Sequence, residues 1–379
     1  MVERKRNDEQ VATQRNAPDA VLVGSIAVLV AIGLVMIFSA SSALAIAQHH
    51  DAAFFLKRQI VWLVVGIIAA FAAYRIEYEH LRRFAPFALV ASVLSLGLVL
   101  IPHIGLDSGG ARRWLGAGAF SLQPSEFAKL ALVLYLAAAL SSKGERVRSL
   151  VNGVVPLALV TALLAMLVLK EPDMGTASLL TFTAGAMLFA AGARIVHLLM
   201  VLMVTAPWVV LLVMHDAYKR ARILAFLNPW KDTQDKGFQI VQSLLALGSG
   251  GPFGVGLGFS RQKFGWLPET YTDFIGSILG EELGFIGMFV VVMLFVIFAY
   301  RAARIALNAP DRFGYFLALG CMAMIVIQAF VNIGVVTSSW PVTGVPLPFI
   351  SFGGSSLVVS LVAVALVVNV GRHRRRSTG

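Results

Sequence analysis

Charge is what this chain most lacks. Of its 379 residues only 13% are Asp, Glu, Lys or Arg, well below the roughly 25% of ordinary soluble domains, which excludes a soluble enzyme, a disordered tail and a nucleic-acid reader. Cysteine is nearly absent as well. Cys321 stands alone in an apolar run, so no intramolecular disulfide and no thiolate metal cluster can be built. The histidines at 49, 50, 80, 103, 197, 215 and 373 are scattered, without the helical pairing that holds a catalytic zinc ion. There is no phosphate-cradling glycine loop followed by Lys-Ser/Thr, which argues against nucleotide hydrolysis, and no Ser/His/Asp order in a convincing context. What abounds is hydrocarbon: 58% of the residues are hydrophobic and the mean hydropathy is +0.81. The apolar residues come in long unbroken runs and not in alternation, which excludes a β-barrel. At about 20 residues per crossing, the chain has room for roughly ten helices. The expected fold is an all-α polytopic integral membrane protein.

Apolar runs place the spans at 20–47, 59–75, 84–103, 124–141, 151–169, 175–192, 195–213, 273–300, 314–336 and 349–370. A cleavable signal peptide is the competing reading at the start, because Ala43-Leu44-Ala45 has the small-residue pattern; the run from Ala20 to Ala40 is too long for it. The excess of 31 Lys+Arg over 20 Asp+Glu, net +11, follows the positive-inside pattern and needs no nucleic acid to explain it. With the N-terminus inside, the inner segments hold 18 basic residues and the short outer loops only five, Lys57, Arg58, Arg112, Arg113 and Lys170. Both termini are therefore expected in the cytoplasm. The organisation expected is a tail over 1–19, a membrane domain over 20–370 and a basic tail over 371–379. The connection 214–272 stands out as a long outer loop, with Asn228-Pro229-Trp230, a helix expected at Gly237–Leu247, and the glycine-rich Gly248–Gly258. Long structured loops are usually functional.

Four polar clusters lie at outer helix ends, where each charge demands a reason. In the first, Arg112-Arg113-Trp114 precedes Gln123-Pro124-Ser125-Glu126 and Lys129. Glu126 and Lys129 share a helix face and read either as an ion pair neutralised within the bundle or, with Arg113, as part of a cationic patch facing an anion. In the second, Glu171-Pro172-Asp173-Met174-Gly175-Thr176 reads best as a tight turn with Asp173 or Thr176 capping the next helix. The third, Trp266-Leu267-Pro268-Glu269-Thr270-Tyr271-Thr272-Asp273-Phe274, sets an acid at the start of the eighth span. Thr270 and Asp273 have capping-box spacing, yet Ser277 and Glu281 extend the face of Asp273 as a polar stripe into the membrane. Gly276, Gly280 and Gly284 suit close helix packing. The fourth runs from Pro341 through Pro346-Leu347-Pro348 to Gly353-Gly354-Ser355: a stiff loop, then glycines that either turn backbone N–H groups toward a phosphate or let helices approach. Gln328 and Asn332 read as interhelical hydrogen-bonding groups. One well-placed acid among cations suits transfer from a lipid-linked diphosphate. The leaving group needs positive charge, and the acceptor hydroxyl needs a base.

Arg113-Trp114, Gln123-Pro124-Ser125-Glu126, Glu171-Pro172-Asp173-Met174-Gly175-Thr176, Leu267-Pro268-Glu269 with Thr272-Asp273-Phe274, and Pro346-Leu347-Pro348 with Gly353-Gly354-Ser355 occur in the order seen in one family. Through them the chain resembles the shape, elongation, division and sporulation family, which comprises FtsW, RodA and SpoVE, over nearly its whole length. The resemblance implies a ten-helix peptidoglycan glycosyltransferase that polymerises lipid II outside the bacterial plasma membrane beside a class B penicillin-binding protein. It implies Asp273 as the catalytic base and Arg113 and Lys129 as required cations, Lys129 oriented by Glu126. Trp114, Gln123, Glu269, Gly354 and Ser355 would contact substrate. A divalent cation is compatible with this chemistry, and no cofactor is required by it. Asn228-Pro229-Trp230 and Ser260-Arg261-Gln262-Lys263 look more like the division branch, which implies other division proteins as partners and the septum as location. Tyr271, Gly276, Phe352 and Ser338-Ser339-Trp340 depart from the family's pattern. A lipid II flippase and a non-catalytic division scaffold are the competing readings.

Overall fold

The computed structural model describes residues 17–108, 111–117, 120–215, 217–231, 237–264 and 267–373. Trp266, the tail residues 1–16 and 374–379, and the basic residues in those tails lie outside the described residues. The chain order is α1 (Ala20–His49), α2 (Phe54–Arg75), α3 (Tyr78–Leu100), a small sheet of β1 (Leu106–Ser108), β2 (Ala111–Ala117) and β3 (Phe120–Leu122), then α4 (Pro124–Lys143), α5 (Val155–Lys170), α6 (Met174–Ala190), α7 (Ile195–His215), α8 (Ala217–Leu227), α9 (Phe238–Gly250), α10 (Ile275–Leu307), α11 (Arg312–Val336) and α12 (Gly354–Arg372). Eight of these helices are long and apolar enough to cross a membrane, and Met174–Ala190 and Ile195–Pro207 add two shorter apolar stretches. Together they stand where the ten runs were expected.

Local chemistry sets the boundaries. Asp19 caps α1 by accepting from the Leu22 N–H at 3.0 Å and pairs with Arg301 on α10 at 2.6 Å. Asp311 caps α11 and takes the Tyr78 hydroxyl of α3 at 2.7 Å. Pro124 opens α4, where its missing N–H is harmless. Shape closes the rest. A Cβ on Gly33 would fall 2.4 Å from the Phe349 carbonyl oxygen, and one on Gly66 would fall 2.7 Å from the Leu361 side chain, so α1 and α2 lie directly against the C-terminal segment. α12 is the most enclosed span, and the outward faces of α2 and α3 carry exposed apolar residues such as Ile67, Ile68, Phe84 and Phe87, as lipid-facing helices should.

Three features differ from the sequence reading. Leu106–Ser108, Ala111–Ala117 and Phe120–Leu122 form a three-stranded antiparallel sheet, with Leu106 opposite Trp114 and Leu115 opposite Leu122, where the sequence predicts a plain loop; such short strands carry little periodic signal. The third helix starts at Tyr78, six residues early, because its first turns (Glu79, His80, Arg82, Arg83) are polar and fall outside an apolar run. The glycine stripe of α10 divides into two roles. Gly280 does pack closely, with the Leu247 side chain 2.4 Å from its absent Cβ, but Gly284 has φ 68° and breaks the helix.

Candidate functional site

Asp273 precedes α10 and caps nothing: the N-cap residue is Phe274, with no side-chain bond. The Thr270 hydroxyl instead donates to the Ala40 carbonyl at 3.2 Å. The backbone around Asp273 is fixed from α11 and from the 341–348 loop. Asn332 donates to the Asp273 carbonyl at 2.8 Å and to the Val345 carbonyl at 2.7 Å. Ser351 donates to the Thr272 carbonyl at 2.6 Å. Gly344 (φ 75°) lies so close that an added Cβ would sit 3.4 Å from Oδ2 of Asp273. Burial, and after it the charge of Glu269, raise the Asp273 pKa to about 7; Asp173 adds to the rise, while Arg222 and Arg113 oppose it. Such a value suits a group that must take up a proton near neutrality. Glu269 is exposed and accepts from the Thr272 hydroxyl at 2.8 Å.

Arg113 and Trp114 are neighbours on β2, both half-buried, and on a strand successive side chains point to opposite faces. Arg113 reaches the α5–α6 turn, donating to the carbonyls of Glu171 at 2.8 Å and Pro172 at 2.6 Å. In that turn Asp173 does cap α6, taking the Thr176 N–H at 2.9 Å and its hydroxyl at 2.8 Å. Gln123 ties this turn to α12, through its side chain to Asp173 at 3.4 Å and its N–H to the Ser355 hydroxyl at 3.0 Å.

For two groups the sequence left two readings open. Lys129 is 3% exposed, paired with Glu126 at 2.8 Å and donating to Gln328 Oε1 at 2.7 Å. The bundle-neutralised pair is thus the arrangement present, and a direct contact with an anion would require opening it. Gln328 passes the hold on, donating to the Pro346 carbonyl at 2.9 Å, one residue from the Val345 carbonyl that Asn332 grips. Gly354 faces the Trp62 ring, 2.4 Å from its absent Cβ, and Ser355 is buried; close packing is what these residues do here. The proposed stripe below Asp273 also turns away from it. Ser277 meets Ser243 of α9 at 2.6 Å, and Glu281 meets Ser260 at 2.5 Å.

Sequence reasoning missed Arg222, a half-buried residue of α8 whose charge acts on Asp273 and which donates to the Val342 carbonyl at 3.5 Å. Only its place in the long segment 214–272 marked it. Glu171 was read as part of a turn, yet its carboxyl is fully buried. Burial, then Asp173, raise its pKa to about 8 against the pull of Arg113. Among the described residues no group of three or more His, Cys, Asp or Glu is arranged to hold a metal ion.

A multi-pass helical membrane protein with one poised carboxylate among arginines at a helix end is the class that fold and site define. Residues 19–376 match the FtsW/RodA/SpoVE family, described as "Cell cycle protein", and the chain belongs to that family. It is 48% identical over 352 residues to "Probable peptidoglycan glycosyltransferase FtsW" of Trichlorobacter lovleyi, covering 93% of this chain and 92% of that one. It is 45% identical over 365 residues to "Stage V sporulation protein E" of Bacillus subtilis, covering 96% and 100%. A solved chain from a peptidoglycan synthase complex coordinating polymerization and crosslinking superposes with TM-score 0.78 at 33% identity, covering 95% and 99%. The rod shape determining protein RodA of Thermus thermophilus superposes with TM-score 0.70 at 31% identity, with the same coverage.

Proposed function

We propose that this chain is a peptidoglycan glycosyltransferase that polymerises lipid II at the outer face of the bacterial plasma membrane. The observation that carries the reading is Asp273, a carboxylate with a pKa near 7 set between arginines at the outer start of α10. In this reading the acceptor sugar hydroxyl gives its proton to Asp273 as its oxygen attacks the anomeric carbon of the donor. The bond from that carbon to the diphosphate oxygen breaks, and the lipid diphosphate leaves with the electron pair. Arg113 and Arg222 supply positive charge for the leaving group. Gln123 and Glu269 are the further substrate contacts in this reading, while Trp114, on the opposite face of β2 from Arg113, holds the strand in place. Lys129, Glu126, Gly354 and Ser355 act from behind, holding the 341–348 loop and the start of α12.

The membrane topology that goes with this reading has both termini in the cytoplasm, 214–272 outside, and the membrane domain over 20–370 as one unit. The similarity to a chain from a synthase complex supports a class B penicillin-binding protein as partner, and the likeness to FtsW supports the division septum and other division proteins. The test is the purified chain with lipid II, alone and with its penicillin-binding partner. Glycan polymer on a gel is the expected product. Lipid movement across vesicles without polymer would favour the flippase, and neither activity would favour the scaffold.

A further inference from the structure

The long helix α10 is broken at Gly284, whose backbone (φ 68°, ψ −167°) is not helical. A helix interrupted inside a membrane leaves N–H and C=O groups that must find partners. Here the glycine-rich segment 251–256 supplies all four. Phe285 and Ile286 donate to the carbonyls of Gly251 and Pro252 at 2.9 and 3.1 Å, and the carbonyls of Glu281 and Glu282 accept from Val255 and Gly256 at 2.9 and 3.1 Å. Only glycine fits where the two segments cross: a Cβ on Gly254 would fall 2.1 Å from the Glu282 carbonyl oxygen, and one on Gly284 would fall 2.3 Å from the Gly254 nitrogen.

Side chains then lock this strap in place. Glu281 accepts from the Ser260 hydroxyl at 2.5 Å and the Arg261 N–H at 3.0 Å. Glu282 accepts from Ser39 of α1 at 2.7 Å and is paired with Lys263 at 3.4 Å. Lys263 also donates to the Gly258 carbonyl at 2.6 Å, so one ammonium joins the strap to the helix it mends. From Lys263 the chain runs directly to Asp273. The Leu267 N–H binds the Gln262 carbonyl at 3.0 Å, and Thr270 binds Ala40, the residue after Ser39.

We propose that Lys263 is a positioning residue for glycosyl transfer: by holding Glu282 and Ser39 it seats the strap in the break of α10 and thereby fixes the turn that presents Asp273. The inference rests on the reading of Asp273 as the base. Charge alone does not explain the arrangement, since an ion pair of this kind is a weak source of net stability compared with apolar packing. Its effect lies in geometry, where a displacement of about 1 Å far from the chemistry can lower a rate about 100-fold.

The test compares the full-length wild-type chain with Lys263→Met, Lys263→Arg and Ser39→Ala, each purified in detergent. Amide hydrogen exchange is read for every variant, and steady-state polymerisation of lipid II where the wild type polymerises. For Lys263→Met we expect faster exchange over 251–263 and 267–283, kcat lowered by about 10- to 100-fold and KM changed less than about threefold. The acid limb of the pH–rate profile should move to lower pH, because a loosened Asp273 gains water while Glu269, Asp173, Arg222 and Arg113 stay around it. Lys263→Arg should restore both exchange and rate. Should Lys263→Met fail to fold, Ser39→Ala carries the same expectations at smaller size. Unchanged exchange over 267–274, or a folded variant with wild-type kcat and acid limb, overturns the proposal. A wild-type chain that makes no polymer defeats the functional reading, and exchange still decides whether Lys263 seats the Asp273 turn.

Discussion

Glu126 and Asp273 are both carboxylates at helix starts, and their surroundings treat them in opposite ways. Glu126 lies 2.8 Å from Lys129, whose remaining reach goes to Gln328, so a buried charge is matched on the spot. Asp273 is half-buried, and the charges that act on it come first from Glu269 in its own turn, then from α8, the α5–α6 turn and the sheet. The first arrangement holds helices in register; the second keeps a carboxylate ready to exchange a proton. The buried lysine is also linked to Asp273 without touching it. Its grip passes through Gln328 to Pro346, and from the neighbouring Val345 through Asn332 to the Asp273 carbonyl.

The comparison breaks most sharply at Asp273 itself. Asp273→Asn keeps the shape but cannot take the hydroxyl proton, and polymerisation should fall by about 10²–10⁴-fold with a nearly unchanged thermal melt. A well-folded Asp273→Asn chain of normal activity would remove Asp273 as the base. Lys129→Ala should act mainly on stability, since leaving one partner of a buried pair costs about 3–5 kcal/mol. The melt should recover in the double variant Glu126→Ala/Lys129→Ala; full polymerisation by that double variant would make the pair purely structural.

Gly344→Ala sharpens the contrast at smaller size. The left-handed backbone at φ 75° costs a side chain about 1–2 kcal/mol, and the new methyl meets the Asp273 carboxylate. We expect about a tenfold drop in kcat, and an unaltered rate would mean that Gly344 does not abut the working carboxylate. Glu171→Gln should change activity least, its effect falling on stability. With its pKa raised to about 8, Glu171 is mostly protonated at pH 7 in the folded chain and ionised in the unfolded one. The folded state then binds the extra proton, so stability falls as pH rises from about 4.5 to about 8. The glutamine variant should lack that part of the decline in a pH series of melts, and an identical decline would place Glu171 in water.

How far the sequence carried can be judged at particular residues. The ten apolar runs and the helix at 238–250 were legible because burial in lipid writes itself as composition. Asp273 and Arg113 stood out in the sequence as residue types that diphosphate chemistry needs, and the structure brings the Arg113 charge to bear on Asp273. The burial of Lys129 was left open, because spacing shows which residues share a face but not which way that face turns. Arg222 escaped because electrostatic reach across the chain has no local pattern. The mended break at Gly284 escaped for a related reason: a glycine every fourth residue looks the same whether it packs a helix or ends one. Tyr271 and Phe352, both departures from the family pattern, turn out to share one aromatic cluster with Phe55, with ring centroids 4.5 to 5.7 Å apart.

The most direct measurement is kcat for glycan polymerisation at saturating lipid II across pH. Since Asp273 must be ionised to accept a proton and its pKa is about 7, the rate should rise about tenfold per pH unit below that value and level off above it. The residual rate of Asp273→Asn should show no such limb. A wild-type rate that stays flat from about pH 5 to 8, or an Asn variant with the same limb, would contradict the assignment of Asp273 as the base.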